Sequence, residues 1–462
     1  MNNMVSLLKP DVDVVIQGAD QIRLDRWNIK LTAAGKPVEV IKILNIDVQE
    51  YYENHYSEIR TIDIAMGLGQ YTNILYPGRE EIVVNLQCIE AMLADLVDSG
   101  VISGYRDDEF YTGVLEVTGN EVLEDSYRTL IDTSSLDISS LKLVRLQLTN
   151  KTDEQIRLIQ VGGSYRNTDI ATVLKTIITN AVKSLDLEAN YIPKGIELVE
   201  PDNTTLYDQI IIPDGTKLVD LPGYLQKHYG VYSNGLAHYL RNGIWHIFPT
   251  YDITRGGSAE YSLQVSIVPR QLYPELGRTY RKFGSSTLII SNGERHILEN
   301  AIPKLANEGN GVKFFNTNFL LQDNTVKESP NKVVSNAAEQ VNEYVAFENS
   351  NGINNLPVRE MGLTANTYLV KSEISMRTGS YIMLEWRYSD PDLAIPGAIA
   401  KIRYEDNGSI KEFEGVLVSA AHSIQLYGYG VTAMNYTTQS FITFFVQRDL
   451  DLERINDELL LG

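Results

Sequence analysis

Alternation of apolar and polar positions dominates the chain and predicts strands over most of its length. VEVIKILNIDVQEYY carries Val38, Val40, Ile43, Ile46 and Val48 at near-alternate positions among β-branched neighbours. SEIRTIDIAM sets Ile62, Ile64 and Met66 on one face and Thr61, Asp63 and Ala65 on the other, and EEIVVNLQ follows the Pro77-Gly78 turn as another strand. From Cys88 to Val97 the spacing changes to Ile89, Met92, Leu93 and Leu96, which predicts a short helix ended by Ser99-Gly100. GVLEVTG, YRTLIDT and KLVRLQLTN return to strand patterns. The strongest helical stripe is Ile170, Val173, Leu174, Ile177, Ile178 and Ala181, with Asn167 as the candidate cap and Asp169 favourable to the positive end of the dipole.

IIIPDGTKLVDLPGYLQKHYG reads as strand, turn and a helix near Leu221 to Tyr229, with Pro222 in its first turn. LAHYL-RNGI-WHIFP places Asn242-Gly243 between two alternating runs. Both central residues of a tight hairpin turn need positive φ, so this pair predicts a hairpin in which Arg241 faces Ile244, Tyr239 faces His246 and His238 faces Ile247. Asn292-Gly293 and Asn407-Gly408 predict two more hairpins. Gln322 to Asn355 is poor in apolar residues and rich in asparagine, and reads as an extended connection. Downstream, YLVKSEISM, SYIMLEWRY, GAIAKIRYE, FEGVLVSAAHS and FITFFVQRD are five strand candidates that suit a small closed barrel.

Composition then narrows the function classes. The 462 residues hold 43% hydrophobic and 22% charged residues, an ordinary globular balance that argues against disorder as the main state. Sixty acidic against forty basic residues give a net charge of −20, contrary to a surface built to grip nucleic acid or anionic lipid. Cys88 is the single cysteine, so neither an intrachain disulfide nor a cysteine metal site within one chain is available. The N-terminal stretch lacks the pattern of a signal peptide, no run of eighteen apolar residues occurs, and the expectation is a soluble protein made in a cytoplasm.

Catalytic motifs are missing. Gly35-Lys36 is followed by Pro37 and has no partner glycine five residues earlier, Gly67-Leu68-Gly69 lacks a third glycine, and no G-x-S-x-G elbow is present. His55, His228, His238, His246, His296 and His422 include no pair at helical spacing. No catalytic, cofactor-binding or metal residue is assigned, and no cofactor is expected.

Two segments together carry a resemblance. Leu393, Pro396-Gly397, the strand from Ala398 to Tyr404, Gly415, Leu417-Val418-Ser419, His422 and Arg448 follow one pattern. SYRNTDIATVLKTIITNA and the aromatic hairpin after it form the second. Their order resembles the tail-hub (baseplate hub) proteins of contractile-tailed bacteriophages, whose barrel domains are related to those of type VI secretion spike proteins. The resemblance spans more than half of the chain and rests on the order of turn glycines, a proline and apolar alternation. Stretches near 89–126 and 284–355 depart from it as insertions, and no partner contacts are carried over onto them.

The resemblance implies a mainly β (α+β) fold of two small antiparallel β-barrels joined by an α/β middle region. The expected division is an N-terminal segment (1–35), a first barrel-like domain (36–165), an α/β middle domain (166–260), an insertion and extended connection (261–360), a second barrel (361–450) and an acidic tail (451–462). Pro396, Gly397, Gly415 and His422 are expected to be structural barrel residues. The implied role is non-enzymatic: a homotrimeric virion protein in the tail baseplate that joins the hexameric tail tube to the trimeric central spike. Wedge or tape-measure proteins would surround it, and DNA would pass through its lumen without specific binding. Duplicated barrels let a threefold assembly offer a near-sixfold face, and an acidic lumen would repel DNA, which carries one charge per about 1.7 Å. The alternatives are a baseplate-associated carbohydrate- or peptidoglycan-cleaving enzyme, or another baseplate or tail-fibre adaptor.

Overall fold

The computed structural model describes residues 6–17, 22–91, 93, 106–115, 140–185, 193–257, 262–274, 277–292, 295–298, 312–316, 333–338, 341–346, 358–360, 366–377, 379–406, 408–428 and 434–447. The N-terminal part supplies helix α1 (Lys9–Ile16) and strands β1 (Asp25–Ala33), β2 (Lys36–Val38), β3 (Val40–Tyr51), β4 (Ile59–Gly67), β5 (Ile82–Glu90), β6 (Arg106–Leu115) and β7 (Leu141–Asn150). The middle supplies α2 (Lys151–Leu158), β8 (Gln160–Thr168), α3 (Ile170–Lys183), β9 (Gly195–Leu198), β10 (Tyr207–Lys217), α4 (Leu221–His228), β11 (Ala237–Arg241) and β12 (Ile244–Phe248). There follow β13 (Leu263–Ile267), β14 (Tyr280–Phe283), β15 (Ser286–Ser291), β16 (Arg295–Leu298), β17 (Val312–Asn316), β18 (Val333–Ala338), β19 (Val341–Ala346) and β20 (Val358–Glu360). Helix α5 (Thr367–Arg377) and strands β21 (Gly379–Arg387), β22 (Ile399–Asp406), β23 (Ser409–Leu426) and β24 (Asn435–Gln447) follow, and short helical turns lie between several of these elements.

The fold is mostly β, as the alternation predicts, and fifteen strands belong to one sheet. Eight of them close on themselves in the order β23-β3-β4-β7-β6-β5-β1-β24, because β23 also pairs with β24. Ile46, Ile62, Ile64, Val84, Leu86, Leu146 and Ile424 fill this ring. The sheet then continues past the ring on both sides, through β22, β13, β15 and β14 from β23, and through β21 and β16 from β24. These flanks curl over a second core that holds Val265, Ile289, Leu384, Trp386, Ile402, Val416 and Phe444. The flanks are joined where Asn292 follows β15, since its Nδ2 donates to Glu385 Oε2 on β21 at 2.6 Å.

The middle region packs α3, α4, β10 and the β11–β12 hairpin around a third core containing Leu174, Ile178, Ile210, Leu225 and Trp245. Helix α1 covers the outside of the second half, with Leu8, Val12 and Val15 against Val268, Leu288 and Ile290. Strands β17 to β20 form a separate four-stranded sheet. Among the described residues no helix is long and apolar enough to cross a membrane.

Several local expectations are realised. The β11–β12 register pairs Arg241 with Ile244, Tyr239 with His246 and His238 with Ile247, and Asn242 and Gly243 have φ of 50° and 76°. Asp406 pairs with Ser409, so the turn between β22 and β23 is the expected two-residue hairpin. Irregular alternation in β3 coincides with register shifts between Val40 and Lys42 and between Ile43 and Asn45.

Others are corrected. Cys88 and Ile89 lie in β5, paired with Trp27 and Arg26, because the β1 ladder satisfies their backbone; most of the expected helix beyond them lies outside the described residues. YLVKSEISM is helical in α5, not a strand: Asn366 Oδ1 accepts from the Tyr368 and Leu369 amides, while its Nδ2 donates to the Gln226 and Lys227 carbonyls of α4. Asp169, not Asn167, caps α3, accepting from Thr172 N at 2.8 Å. Asn292-Gly293 does not link hairpin partners, since β15 pairs with β13 and β14 whereas β16 pairs with β21. YRTLIDT, Arg448, the connection before Asn355 (apart from its β-strands) and the acidic tail lie outside the described residues.

Two neighbouring phenylalanines on β24 test this layering. Phe444 is fully buried in the second core, whereas Phe441 points outward with 36% exposure. Phe444→Ala is expected to cost about 3–5 kcal/mol, and Phe441→Ala under about 1 kcal/mol, in urea unfolding monitored by tryptophan fluorescence.

Candidate functional site

Position 50 is in phase with Ile46 and Val48 on β3, so its side chain enters the apolar interior. It is a glutamate, 2% exposed. A carboxylate there requires a cation and hydrogen-bond donors. Arg241, in phase with Ala237 and Tyr239 at the end of β11, places its Nε 3.1 Å from Glu50 Oε1. Tyr52 OH donates to Glu50 Oε2 at 2.8 Å. The remaining Arg241 donors reach the Ala394 carbonyl and, at 2.6 Å, the Pro391 carbonyl. One guanidinium thereby joins the ring, the middle hairpin and the loop that precedes β22.

His422 on β23 lies on the other side of Glu50. Its Nε2 is 3.6 Å from Oε2, beyond hydrogen-bond length, and its Nδ1 shares a 2.6 Å hydrogen bond with Ser440 Oγ on β24. Ser440 Oγ in turn contacts Ser389 Oγ at 2.5 Å. Serine, histidine and glutamate are the components of a hydrolytic triad, yet Ser440 is 0% and His422 2% exposed. A nucleophile so enclosed meets no substrate, so the arrangement serves packing and orientation. Burial pushes the Glu50 carboxyl up, but Arg241, His422 and the Tyr52 hydroxyl outweigh it and bring it down to about 2.

The four residues singled out in the sequence do not share one site. Pro396 and Gly397 turn into β22 with the Gly397 amide donating to Leu417 O at 3.2 Å. Gly397 has φ of 69°, and a Cβ there would lie 2.4 Å from the Phe248 ring, so glycine is required. Gly415 stands in β23 between Ala400 of β22 and Val446 of β24. His422 belongs to the Glu50 cluster. Glu50, Tyr52 and Arg241 are missed by motif reading, although their phase with apolar neighbours on β3 and β11 is the signal that finds them.

Pro396 and Gly397 also line a cleft of about 230 Å³ between β9, the hairpin and the start of β22. Glu197, Val199, His246, Phe248, Arg255 and Ile395 form its other walls. His246 Nδ1 lies 2.8 Å from Glu197 Oε2.

A second buried carboxylate behaves in the opposite sense. Asp153 in α2 is raised to about 7, by burial first and the nearby Glu58 charge second, against Ser57, Arg157 and Arg60.

Removing one partner of the Glu50–Arg241 pair leaves a buried charge, so Arg241→Met is expected to cost about 3–5 kcal/mol. The Glu50→Gln/Arg241→Met double variant should lose less than the two single changes summed, as a double-mutant cycle in urea will read. The pH dependences have opposite signs. Glu50 is depressed in the folded state, so its contribution is present above about 4.5 and fades as pH falls towards 2. Asp153 is raised, so its ionisation removes stability as pH rises from about 4 to about 7. Asp153→Asn is expected to flatten that upper slope and to raise the melting temperature at pH 8.

Residues 77–267, from the turn before β5 to the end of β13, match the family model described as Bacteriophage PBS1 gene 109 protein. No curated protein matches the sequence. Among solved structures, the tail protein from Neisseria meningitidis MC58 has 10% identity and a TM-score of 0.45, over 92% of this chain and 97% of that one. The 43 kDa tail protein of prophage MuSo2 from Shewanella oneidensis has 10% identity and a TM-score of 0.46, over 90% and 97%. An Escherichia coli protein described as a component of the type VI secretion system has 9% identity and a TM-score of 0.38, over 91% and 77%. The chain is thus similar over residues 77–267 to a bacteriophage protein family, and its neighbours among solved structures are phage tail proteins and a type VI secretion component.

Proposed function

We propose that this chain is a structural virion protein of a phage tail baseplate, acting as the hub between the tail tube and the central spike. The observation that carries the reading is the sheet itself: one ring of eight strands continues into a second curled half through β23 and β24. Two such units per chain give six in a homotrimer, which offers a near-sixfold face to a hexameric tube while the threefold axis suits a trimeric spike. The match over residues 77–267 to a phage protein family supports the viral assignment.

In this reading the work is mechanical. A continuous backbone ladder resists shear between the two units, and the ion pair of Glu50 and Arg241 locks the middle region to both. Wedge or tape-measure proteins contact the outer surface, and DNA passes through an acidic lumen without specific binding. Pro396, Gly397, Gly415 and His422 act as structural residues, and the role needs no cofactor or catalytic group.

Purified protein, alone and co-expressed with its tube and spike partners, tests this by light scattering and negative-stain imaging. A trimer of about three times 51.9 kDa with a central opening is expected. A chain that stays monomeric with both partners present would overturn the hub reading. Peptidoglycan turnover abolished by a single carboxylate substitution would favour the enzymatic alternative.

A further inference from the structure

The middle region meets the ring at two polar junctions whose carboxyls are answered differently. At the first, Glu50 has Arg241 at 3.1 Å. At the second, Asp153 in the first turn of α2 is 6% exposed, and among the described residues no cation lies within ion-pair distance of its carboxyl. The guanidiniums nearby are engaged elsewhere. Arg60 Nε and Nη2 each lie 2.9 Å from a Glu58 oxygen, and Arg157 Nε donates to Tyr56 OH. Ser57, itself buried, is the hydrogen-bond partner of the Asp153 carboxyl. A buried carboxyl with no close cation and a second carboxylate beside it is kept in its neutral form. The helix dipole favours the anion in this first turn, as do Arg157 and Arg60, but burial and the Glu58 charge outweigh them.

This carboxyl sits where the β3–β4 connection, residues 52–58, meets α2. Tyr56 OH donates to the Asp153 carbonyl at 3.2 Å, and Tyr56 O accepts from Leu240 N of β11 at 2.6 Å. Glu58 and Tyr56 of the connection, Arg60 of β4 and Arg157 of α2 itself face Asp153. Strand β6 adds Tyr111, whose hydroxyl reaches Glu58 Oε1 at 3.4 Å, and Thr112, which donates to Glu154 Oε2 at 2.9 Å. Strand β7 ends in Asn150, the cap of α2, and the turn at 218–220 that packs on the helix carries Asp220.

We propose that Asp153 is a proton-controlled latch between ring and middle region: protonated, it holds α2 against residues 52–58, and ionised, it lets the two part locally while the ring keeps its ladders. Parting returns Asp153 to water, where its ordinary value is 3.8, whereas the closed form holds it near 7. The opening equilibrium therefore rises by up to about tenfold per pH unit from about 4 to about 7 and is level above that. Glu50 stays charged over this range because its carboxyl is held down to about 2, so the Arg241 junction keeps its hold.

Hydrogen exchange of the full chain, read by mass spectrometry and corrected for the intrinsic pH dependence of exchange, tests the latch. Opening constants for peptides covering 52–58 and 151–158 are expected to rise at least about tenfold between about pH 5 and pH 7 and then level off, with β4 and β23 unchanged. Glu53 and His246 are also shifted by burial, so Asp153→Asn, not pH alone, identifies the group. In that variant both segments should stay closed and independent of pH. Glu58→Gln is the second variant, and it should move the levelling point to lower pH. The same rise in Asp153→Asn, or no rise in the wild-type chain, overturns the proposal. Loss of protection in β4 and β23 in step with the two segments shows unfolding of the ring and equally removes the latch. An unmoved levelling point in Glu58→Gln removes the role given to Glu58. None of these readouts depends on the oligomer seen by imaging, so the latch and the hub reading fail separately.

Discussion

Strand β23 is 18 residues long, roughly 60 Å if fully extended, and its two ends have different neighbours. Its C-terminal part pairs with β3 and β24 inside the eight-stranded ring, and its N-terminal part pairs with β22 in the second half. A backbone in the middle of a sheet must bond on both sides. The ring and the curled half therefore cannot separate without breaking ladders in β23 and β24 together. The middle region meets the second core through Ala237, Tyr239 and Phe248, and α1 packs on β15 of the same half.

Polar groups fix the junction that the ladders leave open. Glu50, Arg241 and Tyr52 come from a ring strand and from the middle hairpin, and the guanidinium also binds the carbonyls of Pro391 and Ala394. Burying such a pair adds little net stability over an apolar contact, but a misplaced one is costly. Its effect here is orientation: one guanidinium binds hairpin, ring and loop together. His422 and Ser440 extend the network across β23 and β24 without access to solvent. Glu50, His422 and Ser440 are thus buried links between β3, β23 and β24.

Six acids are buried among the described residues: Asp25, Glu50, Asp63, Asp153, Glu385 and Asp390. Most buried acids are paired or hydrogen-bonded within the fold, as with Asp63 to Arg145 and Glu385 to Arg387, Asn292 and Gln439. Arg255 by contrast meets the carbonyls of Asp252 and Gly397, with the Asp252 charge beside it.

Local chemistry made several features legible in advance. Asn242-Gly243 specified its hairpin to the residue, since few other pairs adopt two positive φ values cheaply. The stripe from Ile170 to Ala181 specified α3, and alternation specified β4, β21, β22 and β23. Where local signals compete, tertiary contacts decided. Thr367–Arg377 became helical because Asn366 is held by α4, Cys88 stayed in a strand because β1 offered a ladder, and Asn292 bridged to Glu385 instead of closing a hairpin. The phase of Glu50 with Ile46 and Val48 carries the signal of a buried carboxylate that motif reading missed, and alternation leaves its cation undetermined. Arg241 lies 191 positions away, and only the packing of the middle region against the ring brings the two within 3.1 Å. Sequence alternation reports which face of a strand is dry. Which strands share that face depends on long-range pairing, and that only the folded chain decides.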